Sequence, residues 1–248
     1  MKNRLLITSC LFVVSLLFAA CGDDSDSATG PAEDSSSSIV SSSSVVLSSA
    51  SKKTEVCVSN SLSEVAPSTV VVGNMTDSRD GQSYKTVSIG SQTWMAQNLN
   101  YETANSNCYN DSTKYCEEYG RLYTWAAATS ACPNGWHLPT KAEFDTLFSA
   151  VGGYCNAGAK LKSINGWNDY NGKSGNGTDD YSFSALPAGC KEYYVGNYKG
   201  IYANFWSSTE FDSGNAYFMY LQNSNNNSVT SSMFMEKYYG FSVRCVKD

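Results

Sequence analysis

The one histidine of the chain, His137, is the first residue whose type could support chemistry. It stands between Trp136 and the Leu138-Pro139 step, in the segment ACPNGWHLPTKAEF. An imidazole can act as a general base or as a metal ligand. The neighbouring side chains are packing residues, however, and no G-x-S-x-G nucleophile motif accompanies the histidine. The sequence therefore predicts a hydrogen-bonded structural histidine and no catalytic residue.

Nine cysteines are the second group of reactive side chains. Cys10 lies in an N-terminal apolar segment and Cys21 directly follows that segment. The other seven are Cys57, Cys108, Cys116, Cys132, Cys155, Cys190 and Cys245. No C-x-x-C spacing occurs and one histidine supports no usual zinc site, so in an exported chain these residues indicate disulfides. The number is odd, and we predict Cys57, on the linker side, as the spare one.

Oxygen ligands are concentrated in the loop WNDYNGKSGNGTDD, residues 167–180. Asp169, Asp179 and Asp180 are weak candidates for calcium, which prefers oxygen ligands on flexible backbone. Their spacing matches no EF-hand, and Asx and glycine residues also form ordinary turns. Carboxylates for a glycosidase are plentiful, but a sequence shows no pair at a fixed separation. We therefore expect neither metal nor cofactor, with calcium as the open alternative.

Aromatic side chains cluster in KEYYVGNYKGIYANFW, residues 191–206. Aromatic rings can stack on sugar rings, and exposed aromatic patches often mark binding surfaces. The competing interpretation is that several of the rings cover the core. The candidate ligand-binding residues are Tyr193, Tyr194, Tyr198 and Tyr202.

The N-terminus predicts export and lipid anchoring. Lys2 and Arg4 precede an apolar run, and Ala19-Ala20 precede Cys21, so residues 1–20 have the form of a signal peptide. A cysteine at this position resembles a bacterial lipobox, in which the thiol is acylated. We predict attachment to the outer membrane through Cys21, with the protein exposed at the cell surface. The alternatives are an uncleaved membrane span and a secreted chain, and the apolar run is short for a span.

Residues 21–76 are predicted to be a tether. An acidic start, GDDSDS, leads into the serine-rich segment 35–53, which lacks the apolar residues needed to form a core. Without residues 1–20 the chain carries a net charge of about −8 at neutral pH. Such an acidic protein is a poor binder of nucleic acid.

Residues 77–248 are predicted to form one domain. A β-hairpin is expected within 77–101, turning at Gly90-Ser91. Helical spacing predicts a first helix in 117–132, and Thr140 with Glu143 predicts a capping box for a second helix that ends at Gly152. Four strands are predicted in the C-terminal segments NFWSSTE, AYFMYLQ, SVTSSMF and YGFSVRCVK. Two short helices, small antiparallel sheets and long loops make an α+β domain.

Alternation in the last predicted strand assigns its side chains to two faces. One face contains Phe241, Val243 and Cys245, and the other contains Ser242, Arg244 and Val246.

Three stretches together resemble the Fibrobacter succinogenes major paralogous domain family. They are DGQSYKTVSIGSQTWMAQNLNY, YGRLYTWAAA…CPNGWHLPTKAEF and DDYSFSALPAG…FWSSTE…GFSVRCVKD. That family is similar to the C-type-lectin-like and formylglycine-generating-enzyme superfamily, whose fold the resemblance implies here. It also implies the disulfides Cys108–Cys116, Cys132–Cys245 and Cys155–Cys190. The oxidases of the superfamily carry two closely spaced reactive cysteines before the final strand, and this chain has only Cys245 after Cys190.

The functional expectation is a non-catalytic lectin-like binding domain on an envelope lipoprotein. Its ligand would be an extracellular glycan or a partner protein, an expectation that rests on fold analogy. The alternatives are an envelope enzyme related to the formylglycine-generating oxidases and a purely structural display domain.

Overall fold

The computed structural model of the chain describes residues 64–192, 195–224 and 229–248, which belong to the unit Lys53–Asp248. The signal peptide, Cys21, the serine-rich tether and Cys57 lie outside these ranges. The strands are β1 Val71–Thr76, β2 Ser83–Ile89, β3 Gln92–Met95, β4 Ser106–Asn107, β5 Leu122–Tyr123, β6 Trp136–His137, β7 Cys190–Glu192, β8 Val195–Asn197, β9 Tyr202–Glu210, β10 Asn215–Gln222, β11 Thr230–Glu236 and β12 Val246–Lys247. The helices are α1 Thr113–Tyr119, α2 Trp125–Ala128, α3 Lys141–Ala150 and α4 Ala157–Leu161, with 3₁₀ turns at Pro67–Thr69 and Tyr109–Asp111. The domain is α+β.

The predicted hairpin forms the centre of a five-stranded sheet with the order β1-β2-β3-β12-β6. Ile89 pairs with Gln92, so β2 and β3 are joined by the two residues Gly90-Ser91. Gly90 adopts a φ of +61°, the left-handed conformation that such a hairpin turn favours. The other sheets are the three-stranded β11-β10-β9 and the pairs β4-β5 and β7-β8.

The domain begins earlier than the predicted residue 77. β1 pairs with β2 along its whole length, from Val71 opposite Ser88 to Thr76 opposite Ser83. Upstream of β1, the Val65 N–H donates to the Ala150 carbonyl over 2.8 Å. This edge strand could not be predicted from the sequence, because it lacks the alternation of apolar and polar residues that marks a strand with one buried face. Both Val71 and Val72 are exposed.

The capped helix is confirmed as α3. The Thr140 side chain accepts a hydrogen bond from the Glu143 N–H, and the Glu143 side chain accepts one from the Thr140 N–H. Phe144, Leu147 and Phe148 on its inner face have no exposed surface. The Phe144 ring stacks on Trp94 of β3 at 5.4 Å between centroids, which joins the helix to the hairpin.

The prediction of a single helix in residues 117–132 is wrong, because this segment contains parts of three elements. α1 ends at Tyr119 and is followed by β5 and then by the one-turn helix α2. Gly120 separates them with a φ of +73°, and a Cβ there would lie 2.7 Å from the Asn98 Cβ. Leu122 and Tyr123 pair with β4 instead of extending a helix. Tertiary contacts around Gly120 therefore override the helical spacing.

The C-terminal strands are confirmed as β9, β10 and β11, but the alternation predicted for residues 241–246 is wrong. Only Val246–Lys247 forms a regular strand there, and Phe241 and Ser242 make single bridges. All residues from Phe241 to Val246 are buried, so this segment has no solvent-facing side.

Arg244 is the largest charged side chain in the interior, with no exposed surface. Its Nε donates to Asn98 Oδ1 over 2.6 Å, and its Nη2 donates to the Ser184 carbonyl over 2.7 Å. Nη1 donates to the carbonyls of Met95 and Phe183. Burial lowers the pKa of Arg244 to about 9, and since this value is above neutral pH the guanidinium remains charged.

Two of the three disulfides implied by the resemblance are present. Cys132 and Cys245 join across 5.9 Å between Cα atoms, and Cys108 and Cys116 across 4.9 Å. The third pairing, Cys155 with Cys190, is wrong: Cys190 is a buried thiol in β7, whereas Cys155 is disulfide-bonded. Seven cysteines allow many pairings, and sequence alone gives no distances that would select among them.

Replacing Arg244 by methionine is expected to lower the free energy of unfolding by at least about 3 kcal/mol, because several buried acceptors lose their donor. Urea denaturation of the full chain measures the loss. Lys85→Met, at an exposed position of β2, is the matched control and should change the free energy by less than about 0.5 kcal/mol. Equal losses in the two variants would contradict the central role of Arg244.

The two disulfides should differ in their contribution to stability, because they close loops of very different length. The separation is 113 residues for Cys132–Cys245 and 8 for Cys108–Cys116. The loop-entropy relation gives about 4.8 and about 2.5 kcal/mol respectively. Paired cysteine-to-serine variants, compared by urea denaturation, test this order, and a larger loss for the short loop would refute it.

Candidate functional site

His137 in β6 connects helix α3 with the C-terminal segment. Its Nδ1 lies 2.6 Å from Asp248 Oδ1 and its Nε2 lies 2.7 Å from Glu143 Oε1. The other Glu143 oxygen accepts a hydrogen bond from the Thr140 N–H over 2.7 Å. The imidazole is thus joined directly to the capping box of α3.

The two carboxylates favour the charged form of His137. Burial, the largest single influence, lowers the pKa, but hydrogen bonds to Asp248 and Glu143 together raise the pKa of His137 above its usual value. The hydrogen bonds to Thr140 and His137 lower the pKa of Glu143 in spite of its partial burial. Both ring nitrogens of the histidine contact carboxylates, so the imidazole is hydrogen-bonded on both sides, and its purely structural role stays a prediction.

The two described tyrosines of the predicted ligand platform are at least partly buried. Tyr193 and Tyr194 lie outside the described residues. Tyr198 is half-buried with a φ of +65°, and its ring lies 5.2 Å from that of Tyr202. Tyr202 is 8% exposed and packs against Tyr220 at 5.4 Å, so it serves the core more than a binding face.

The three calcium candidates lie in different environments. Asp169 and Asp180 are exposed, whereas Asp179 accepts hydrogen bonds from the N–H and hydroxyl of Ser184. Partial burial raises the pKa of Asp179 despite these bonds. Within the described ranges, no group of three or more His, Cys, Asp or Glu side chains is placed to hold a metal.

A cleft of about 360 Å³ lies beside α1 and the turn between β1 and β2. We call it the polar cleft, and its main lining residues are Asp80, Gln82, Asn100, Tyr101, Glu102 and Glu117. Cys108, Thr113, Cys116 and Arg121 complete the wall, so the short disulfide is part of it. Volumes of about 300 to 1,000 Å³ are typical of small-molecule sites.

Hydrogen bonds and ion pairs hold several of the cleft side chains in place. Gln82 Nε2 donates to Asp80 Oδ2 over 2.7 Å, and Arg121 pairs with Glu102 over 2.6 Å. The Arg79 guanidinium lies 3.8 Å from the centre of the Tyr101 ring, which fixes one face of that ring. Asn100 Oδ1 is buried and accepts no hydrogen bond from any described residue.

The polar cleft has no direct signal in the amino-acid sequence. Its lining comes from three segments, 80–82, 100–102 and 108–121, which only the fold brings together. The usable signal was the short Cys108–Cys116 loop, which is followed at once by Glu117 and Glu118. None of the predicted tyrosine or calcium residues lines the cleft.

These features define a disulfide-bonded α+β domain with an open polar cleft. The family model for the Fibrobacter succinogenes major domain matches residues 87–247. The chain therefore belongs to the Fibrobacter succinogenes major domain family, as the sequence resemblance indicates. No curated protein matches the chain.

The described helices are all too short or too polar to cross a lipid bilayer. The longest of them is α3, with 10 residues.

The ion pairs of His137 predict a pH dependence of stability. Because its pKa is raised in the folded state, the stabilisation is complete below about pH 6.5, the unfolded value, and is lost as the pH rises through the folded value. His137→Gln should therefore flatten the fall in stability between pH 5.5 and 7.5. The ring is 40% exposed, so solvent screening limits the difference to under about 1 kcal/mol.

Urea denaturation of both proteins at each pH measures this effect. The variant removes all imidazole titration, because the chain has one histidine. Identical pH slopes for wild type and variant would contradict the proposed ion pairs.

Proposed function

We propose that this chain is an exported lipoprotein of the outer membrane that presents a non-catalytic, lectin-like binding domain at the cell surface. Its ligand is an extracellular glycan or a partner protein. The N-terminal sequence supports export and acylation at Cys21, and the serine-rich segment 35–53 supports a spacer between lipid and domain. The disulfides Cys108–Cys116 and Cys132–Cys245 suit an oxidising compartment.

The lectin-like part of the proposal is supported by the arrangement of the closing strand. β12 lies between β3 and β6, so the end of the domain pairs beside its first strands. The segment WHLPTKAEF leads from β6 into α3, as the resemblance implies for this superfamily. Fold analogy of this kind supports a binding role without naming the ligand.

The polar cleft is the observation that carries the binding role. It is open and contains carboxylate, amide, hydroxyl, aromatic and guanidinium groups, which together can orient a polar ligand. Its sulfur atoms belong to the Cys108–Cys116 disulfide, and His137 is not among its lining residues. The cleft therefore offers recognition groups without a cysteine or histidine nucleophile or base.

The enzyme alternative has less support. Oxidases of the related superfamily use two closely spaced cysteines, whereas Cys245 here is bonded to Cys132. The purely structural alternative predicts no specific ligand at all, so a binding measurement separates it from the proposal.

Purified full chain in detergent is expected to bind at least one class of glycan saturably on an array that carries neutral, amino and acidic glycans. Reduced and alkylated chain is the control and should lose this binding, because the disulfides Cys108–Cys116 and Cys132–Cys245 are then open. The partner-protein form is tested by cross-linking on intact cells. A chain that binds no glycan and gives no specific cross-link would favour the structural alternative.

A further inference from the structure

We infer that the polar cleft binds a hydroxyl-rich oligosaccharide without acidic groups. This inference rests on the proposed binding function and assigns it a site and a ligand class. Neither of the sequence-based candidates, the tyrosine platform and the calcium loop, contributes to this cleft.

The lining of the cleft is richer in hydrogen-bond acceptors than in donors. Asp80, Glu102 and Glu117 supply carboxylate oxygens. The Gln82 amide already donates to Asp80. A complementary ligand must therefore supply donors, and sugar hydroxyl groups do so at many positions.

The charges in the cleft disfavour an acidic ligand. Arg121 neutralises Glu102, with which it pairs over 2.6 Å. Asp80 and Glu117 are exposed and form no ion pair with a described residue, so a net negative charge remains that repels uronates and other acidic sugars.

The walls of the cleft are rigid, which reduces the entropy cost of binding. The Cys108–Cys116 disulfide ties α1 to the preceding turn. Arg79 pairs with Asp77 over 2.6 Å and covers one face of the Tyr101 ring. The Tyr123 hydroxyl donates to the Tyr101 carbonyl over 2.7 Å. The recognition groups therefore need little ordering when a ligand arrives.

A second cavity of about 110 Å³ continues the polar cleft along α1. Both cavities are lined by Gln82, Asn100 and Glu117, so they are adjacent, and we call the two together the groove. The smaller cavity adds the amide side chains of Gln97 and Asn98. An extended groove of this kind fits a ligand with more than one sugar ring, so affinity should rise with chain length.

The test is calorimetric titration of the full chain in detergent with defined probes. These are neutral hexasaccharides of glucose, mannose and xylose, the corresponding monosaccharides and a galacturonate hexamer. At least one neutral hexasaccharide should bind more tightly than its monosaccharide and at least about tenfold more tightly than the galacturonate hexamer. Preference for the galacturonate hexamer would overturn the ligand class.

The site is tested with Glu117→Ala and with Asn100→Ala. Each should weaken binding of the neutral hexasaccharide about tenfold or more, because each removes a polar side chain that lines the groove. Glu236→Ala, a change of the same type at an exposed position of β11, is the matched control and should change Kd less than twofold. Thermal unfolding of each variant shows that it is folded.

The outcomes separate this inference from the proposed function. Hexasaccharide binding that survives both cleft variants would overturn the site and leave a glycan-binding function in place. Failure of every probe would overturn both this inference and the glycan form of the proposed function.

Discussion

The buried charge of Arg244 is the constraint on which much of the domain depends. A guanidinium without exposed surface must be surrounded by acceptors, because an uncompensated charge in the interior costs several kcal/mol. Here the acceptors come from the Asn98 side chain and from the main chain at Met95, Phe183 and Ser184. The residue thus gives the irregular loop before β7 a fixed place on the central hairpin.

The same C-terminal segment carries the other long-range connections of the fold. Cys245 is bonded to Cys132, Val246 pairs with both Trp94 and His137, and Asp248 contacts the His137 ring. These contacts lie within a few residues of Arg244. A domain with short helices and small sheets gains its stability from such connections, because its regular elements bury little surface individually.

The polar cleft is connected to this core through Asn98. Its Oδ1 accepts from Arg244, and its Nδ2 donates to the Tyr119 carbonyl at the end of α1. The disulfide Cys108–Cys116 fixes the same helix from its outer side. The groove is therefore held by the hydrogen bonds that surround Arg244, while the lining residues Glu117 and Glu102 remain exposed for contact. Such a separation of rigid support and exposed recognition groups suits a binding domain.

The elements that can be predicted from the amino-acid sequence alone are those with local signals: the Gly90-Ser91 hairpin, the Thr140–Glu143 capping box and the strands β9 to β11. With the family resemblance, the sequence also determined two disulfides. Tertiary structure decided the division of the predicted helix at Gly120, the edge strand β1, the burial of Arg244 and the cleft. Each of these depends on contacts between residues far apart in the chain, and spacing or propensity within one segment carries no information about such contacts.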